Sequence, residues 1–173
     1  MKEPILETER LILRPLTVDD AEQVFTWASD ERVAKYMIYS RHENIETTIA
    51  WLESLKDLSD NNFNWGFVLK ENGRLIGSGG IRYYKPENAW SFGYNMSYDC
   101  WNKGYTTEVT KRMIEFAYKE CGARDFISDH AVENPASGRV MEKCGLKFSH
   151  YGEYSKFDGS ETFKAKFYKM HLE

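Results

Sequence analysis

Apolar positions along this chain recur with two periods, and each switch between them marks an element. Alternation from Arg10 to Leu16 predicts a first strand, closed by Pro15. Thr17 then offers a helix cap, and the acidic residue three places on, Asp20, makes a capping-box signal. Ala21, Val24, Phe25 and Ala28 follow at helical spacing to about Ser29. A second helix is expected from about Ile45 to Leu58, with Ile49, Leu52 and Leu55 on one stripe and the aromatic connection Tyr36-Met37-Ile38-Tyr39 before it. Phe63 to Leu69 and Arg74 to Tyr83 flank Asn72-Gly73, which predicts a hairpin with a type I′ turn. Gly77, Gly79 and Gly80 in its second strand signal a bulge or a close backbone approach.

Pro86-Glu87-Asn88 marks a turn into the strand Ala89 to Ser97. Val109 to Tyr118 carries a helical pattern that stops near Cys121-Gly122. Phe126 to Val132 reads as a fifth strand, and Pro135, after Asn134 as cap, opens a short helix that Gly145 ends. Lys147 to Phe157, Asp158-Gly159 and Ser160 to Met170 form a closing hairpin. Interleaved strands and helices, with hairpins at both ends, predict a mixed α/β sandwich and not a doubly wound fold. With no linker, repeat or low-complexity stretch, residues 1–173 are expected to form one domain.

Composition narrows the function classes. Hydrophobic residues make up 42% of the 173, which excludes a disordered chain. No apolar run approaches the ~20 residues of a membrane span, and Met1-Lys2-Glu3-Pro4 lacks the apolar core of a signal peptide. Cys100, Cys121 and Cys144, odd in number and without CxxC spacing, argue against a disulfide framework or a zinc site. A reducing cytoplasm is the simplest setting, and no metal is expected. A formal charge of -4 gives no support for nucleic-acid binding.

The chemistry concentrates at Trp101-Asn102-Lys103-Gly104-Tyr105-Thr106-Thr107-Glu108, between the strand ending at Met96 and the helix at Val109. Amides at a helix start have no partner within the helix, and the helix dipole adds partial positive charge there. Glycine allows close approach of a bulky anion, and Lys103 adds a cation. A plain strand-to-helix turn is the alternative reading. The run resembles the acetyl-CoA pyrophosphate loop of the GNAT superfamily of N-acetyltransferases. It is most similar to the branch of the ribosomal-protein-alanine acetyltransferases, with its Trp-x-Lys-Gly-Tyr-Ala-Thr-Glu. Glu133-Asn134-Pro135-Ala136-Ser137 through Glu142-Lys143-Cys144-Gly145-Leu146 resembles that branch's Asn-x-x-Ser…Glu-Lys-x-Gly-Phe segment, and Glu7 to Pro15 resembles its first strand.

The resemblance implies a mostly antiparallel sheet flanked by helices and splayed between the fourth and fifth strands, where the pantetheine arm would lie. It implies that Trp101, Asn102, Lys103, Gly104, Tyr105, Thr106 and Thr107 bind acetyl-CoA, that Met96 and Ser97 pair with the pantetheine, and that Asn134 and Ser137 complete the cofactor site. The helix pair and the connection 36–39 would border the acceptor. Three departures stand out. Met141 replaces a tyrosine that many members use as general acid, leaving Ser137 as the candidate. Ser91 replaces a familiar glutamate base, for which His130 is a substitute of suitable titration range. Thr106 replaces the usual small residue of the loop. Glu108 is accounted for by the helix dipole alone, and Arg139 and Lys143 either face the phosphates or form a solvated face.

Acetyl transfer from a thioester to an amine requires a neutral amine, a stabilised carbonyl oxygen, a protonated leaving thiolate and in-line positioning. No covalent enzyme intermediate is needed. The expected function is acetyl transfer to a primary amine, either a protein N-terminus or a small molecule. A CoA-binding sensor or assembly module without turnover is the alternative. Oligomeric state stays open, a homodimer included.

Overall fold

A computed structural model of the chain describes residues 2–173, so Met1, the first residue of the opening segment read above, lies outside the described residues. Leu11 and Leu13, both fully buried, lie on the core face of β2 (Leu11–Arg14), and the strand extends backwards through a bend to β1 (Leu6–Glu7), which the pattern did not reveal. The Thr17 cap forms as expected: its hydroxyl accepts from the Asp19 amide, and the Asp20 carboxylate accepts from the Thr17 amide at 2.9 Å. That cap starts a 3-10 turn leading into α1 (Ala21–Ala28). Trp27, not Phe25, is its most deeply buried aromatic, because the helical face rotates past the four positions picked by spacing. A four-residue helix α2 (Glu31–Ala34), capped by Asp30, was too short to show a period.

The second long helix, α3 (Ile45–Ser54), tightens into a 3-10 turn at Leu55–Asp57, and Ile49 lies on its exposed side. β3 (Asn62–Leu69) and β4 (Leu75–Tyr84) pair antiparallel. Their connection is not a type I′ turn. Gly73 is left-handed (φ 72°) while Asn72 is not, and the Gly73 amide bonds back to the Leu69 carbonyl, so the chain takes a longer loop. The expected bulge forms beside Gly77: Phe67 pairs with Gly77 and Val68 with Leu75, so Ile76 is the extra residue. Gly77 itself permits the expected close approach: a Cβ there would lie 2.4 Å from the Asn95 carbonyl of β5 (Ala89–Met96).

α4 (Tyr105–Cys121), β6 (Asp125–Ala131), α5 (Pro135–Lys143), β7 (Lys147–Ser155) and β8 (Thr162–His171) complete the chain. The eight strands form one sheet in the order β1-β2-β3-β4-β5-β6-β8-β7. Only the β5–β6 neighbours run parallel. One face packs on α4 and α5 through Phe63, Trp65, Phe67, Phe92, Phe116, Phe126 and Met141. The other packs on α1 and α3 through Leu16, Val24, Trp27, Leu52 and Leu75. Burial of these side chains, worth ~1.5–3 kcal/mol each, fixes both layers and leaves the opening between β5 and β6 as the main interruption.

Candidate active site

β5 and β6 pair only at Trp90–Phe126 and Ser91–Ile127, and then part. The next rung is closed by a side chain: Ser128 Oγ donates to the Phe92 carbonyl at 3.0 Å. Alternate residues of a strand aim their backbone groups to the same side. Phe92 therefore fixes the parity, and the Tyr94 amide and carbonyl and the Met96 amide face the opening. The Met96 carbonyl is already taken by Trp101 Nε1 at 2.8 Å, and the Ser97 amide turns the other way, to Ile76, at 2.7 Å. Of the two residues expected to line this edge by backbone pairing, Met96 offers its amide and Ser97 offers neither its amide nor a free hydroxyl, since Ser97 Oγ donates to Asp99.

The loop beyond β5 is held open from behind. Asn102 (φ 60°) and Gly104 (φ 80°) are both left-handed, a conformation glycine adopts freely and asparagine tolerates. Arg74 grips Asp99 with two bonds of 2.7 and 3.0 Å, and Trp101 pins the loop to the strand end. The first helical bond of α4 runs from the Glu108 amide to the Gly104 carbonyl. None of the six amides from Asn102 to Thr107 donates to any described residue. Six consecutive free donors at the positive end of a 17-residue helix form an anion cradle. Lys103, Arg139 and Lys143 border it, all exposed and without a carboxylate partner among the described residues. Glu108 is more than a dipole counter-charge: its carboxylate accepts from Thr8 Oγ1, the Arg10 amide and Arg10 Nε.

At the inner end of the opening, Tyr94 Oη donates to the Ser137 carbonyl at 3.0 Å and lies 2.9 Å from Ser137 Oγ. Tyr94 carries no motif signal in the sequence, but its parity with Met96 on β5 places it on the α5 face. Burial raises the Tyr94 pKa well above that of an ordinary phenol, with a smaller opposing contribution from the Ser137 bond, so the hydroxyl stays protonated at neutral pH. Met141, in the place of the missing tyrosine, is 1% exposed and belongs to the core. Asn134 stands at the N-cap of α5, yet its side chain makes no capping bond and lines the cleft.

His130 is packed. Its Nδ1 lies 2.7 Å from the Ala131 carbonyl, which requires a proton on Nδ1, and its Nε2 meets Tyr168 Oη at 3.4 Å. A Cβ on Gly138 would stand 2.5 Å from Nε2, so the glycine lets α5 settle directly onto the ring. The adjacent residue, Asp129, points to the opposite face. It is half-buried, lines the cleft and makes no hydrogen bond or ion pair among the described residues. Burial raises its pKa, partly opposed by His130. Beside it, Gly93 is exposed in mid-strand, and a Cβ there would meet nothing within 4 Å.

The cleft has a volume of about 1110 Å³ and continues over this face under the connection 36–39. Lys156 Nζ holds that roof, donating to the carbonyls of Ala34, Met37 and Tyr39 at 2.8–3.0 Å, and Tyr154 Oη donates to the Tyr36 carbonyl. Among the described residues, no group of three His, Cys, Asp or Glu side chains is placed to hold a metal ion, and no helix is long and apolar enough to cross a membrane.

Comparison with known proteins places this geometry. The family described as an acetyltransferase (GNAT) domain matches residues 10–147. An uncharacterised N-acetyltransferase of Bacillus subtilis, YoaA, is 29% identical over 147 residues, covering 83% of each chain. A GNAT-family acetyltransferase from Bacillus anthracis superposes with a TM-score of 0.84 at 25% identity, over 97% of this chain and 98% of that one. A ribosomal-protein-S5-alanine acetyltransferase from Vibrio fischeri shares the fold, with a TM-score of 0.80 at 16% identity over 98% and 97% of the two chains.

Proposed function

The chain belongs to the GNAT acetyltransferase family, and from that premise we propose that it moves an acetyl group from acetyl-CoA to a primary amine by direct attack within the β5–β6 opening. The observation that carries this reading is the run of six unpaired amides, Asn102 to Thr107, at the mouth of that opening. They fit a pyrophosphate, with Lys103, Arg139 and Lys143 adding charge. The Tyr94 backbone and the Met96 amide fit the amide groups of a pantetheine arm, extending the sheet by one strand-like segment. Acetyl-CoA, when bound, supplies the activated acyl group as a thioester.

The remaining steps belong to side chains of this protein. Asp129, unpaired and made more basic by burial, receives the proton that the amine nitrogen loses as the new C–N bond forms. The C–S bond breaks, and the departing sulfur takes its proton from the Tyr94–Ser137 hydroxyl pair. Tyr94 thus fills the role vacated at Met141, from strand β5 and not from helix α5. Mid-strand glycine weakens a strand unless something approaches closely. Neither left-handed backbone nor packing requires glycine at 93, so the acceptor is assigned the open space above it. The acceptor is a primary amine of the protein N-terminal or small-molecule kind. The cleft's carboxylate and aromatic walls, Tyr36, Tyr84 and Tyr154, support an ammonium-bearing ligand.

Isothermal titration with acetyl-CoA, followed by thiol release with a panel of primary amines, tests the reading. Binding together with amine-dependent thiol release is expected. Binding with no release on any amine favours the sensor or assembly alternative, and no binding at all removes the assignment.

A further inference from the structure

An anion cradle should not keep a carboxylate in its first helical turn, yet Glu108 sits in the first turn of α4. The explanation lies 98 residues away in sequence, in the bend between β1 and β2. Arg10 donates its amide and its Nε to the Glu108 carboxylate at 2.9 and 2.8 Å, while Thr8 Oγ1 occupies the same carboxylate. Arg10 Nη1 donates to the Lys103 carbonyl at 3.0 Å. Its guanidinium lies 4.3 Å from the centre of the Tyr105 ring, and Nη2 reaches to 3.3 Å from where a Gly104 side chain would begin. One side chain therefore engages the two negative groups, a carboxylate and a loop carbonyl, that would otherwise oppose an incoming phosphate.

We propose that Arg10 is a positioning residue for the cofactor loop. It holds the Lys103 carbonyl and the Glu108 carboxylate on the back of the loop, so that the amides of Asn102 to Thr107 converge on the front. It also closes the side of Gly104 away from the cleft. Arg10 reaches the two acceptors from separate nitrogens, Nε to Glu108 and Nη1 to the Lys103 carbonyl, a spread that the single nitrogen of a lysine does not reproduce. The inference rests on the reading that the loop cradles a pyrophosphate, and the test separates the two.

The test compares acetyl-CoA with S-acetylpantetheine, which carries the same thioester and no pyrophosphate, on the wild-type protein, Arg10→Ala and Arg10→Lys with one amine acceptor. Arg10→Ala should lower kcat/KM for acetyl-CoA about 10–100-fold, the range for charge-assisted bonds, mostly through KM. With S-acetylpantetheine the same variant should match wild type within about twofold, and that result also shows it to be folded. Arg10→Lys should keep most of the loss. Equal losses on both thioesters would make Arg10 a general stability residue and overturn the proposal. Full rescue by lysine would reduce it to a bare charge and overturn it as well. A wild-type protein that does not prefer acetyl-CoA over the short thioester sinks the pyrophosphate reading itself.

Discussion

The hydroxyls of Tyr94 and Ser137 lie 2.9 Å apart and either can donate to the other, so a Tyr94 proton that leaves the Ser137 carbonyl for a departing thiolate can be replaced on the tyrosine oxygen by the serine proton. If the two act as one relay to the departing thiolate, Tyr94→Phe and Ser137→Ala should each break the same path. A hydrogen bond to developing charge contributes ~1.5–3 kcal/mol, or about 10–100-fold in rate. Two independent donors would multiply, giving about 10²–10⁴-fold for the double variant. A relay instead predicts a double variant within about threefold of the worse single one. Folding should survive, since leaving the Ser137 carbonyl without its partner costs ~1–3 kcal/mol against a typical ~5–15 kcal/mol. The assay is single-turnover acetyl transfer by rapid quench, because product release can mask chemistry in the steady state. Acetyl-CoA Kd, measured by calorimetry, should stay within about twofold throughout. Multiplicative losses would refute the relay, and a raised Kd with unaltered single-turnover rate would make the pair a binding contact only.

Asp129→Asn should lower kcat about 10²–10⁴-fold, as loss of a general base does, and should abolish the acid limb of the kcat–pH profile, which in wild type lies above the ordinary aspartate value. Because the folded-state pKa is raised, the charged group opposes folding once pH exceeds that pKa, so at neutral pH the asparagine variant should melt at or above the wild-type temperature. Gly104→Val should cost at least 10-fold in acetyl-CoA affinity. The cause is a strained loop, since φ is 80° and the new Cβ meets Arg10 Nη2; calorimetry on the folded variant reads the loss. Gly93→Val should fold normally and bind acetyl-CoA normally while raising the amine KM 10-fold or more, and an unchanged KM would remove the acceptor from that position.

Much of the fold was legible because it rests on local signals: the Thr17 cap, the bulge beside Gly77, the Gly122 helix stop and two hairpins. What escaped was either too short to show a period, as with β1 and α2, or decided by tertiary contacts, as with the loop at Gly73. The cofactor loop was legible through its motif, whose glycine is one that the backbone requires, at φ 80°. The chemical groups were harder to find, because each depends on strand parity near an opening that no single segment encodes. His130 and Asp129 are neighbours in β6, and one residue of period-2 alternation sends the imidazole under Gly138 and the carboxylate into the cleft. A titration range pointed to the histidine; only the direction of the strand distinguishes the two.

The same parity fits the proposed chemistry to the opening between β5 and β6. Tyr94 and Ser137 lie on the sheet face covered by α4 and α5, and Asp129 and Gly93 lie on the face roofed by the connection 36–39. A paired ladder would keep acid and base on opposite sides of a closed backbone layer about 5 Å per strand wide. Ending the β5–β6 ladder after Ser91 removes that barrier at one place, and Ser128 caps the last carbonyl so that the open edge begins cleanly. Filling the gap by backbone pairing would bury the Tyr94 and Met96 groups that the proposed thioester arm needs. In the proposed reaction the opening is both the binding edge for the thioester arm and the gap across which a proton donor on one face and an acceptor on the other serve a single carbon.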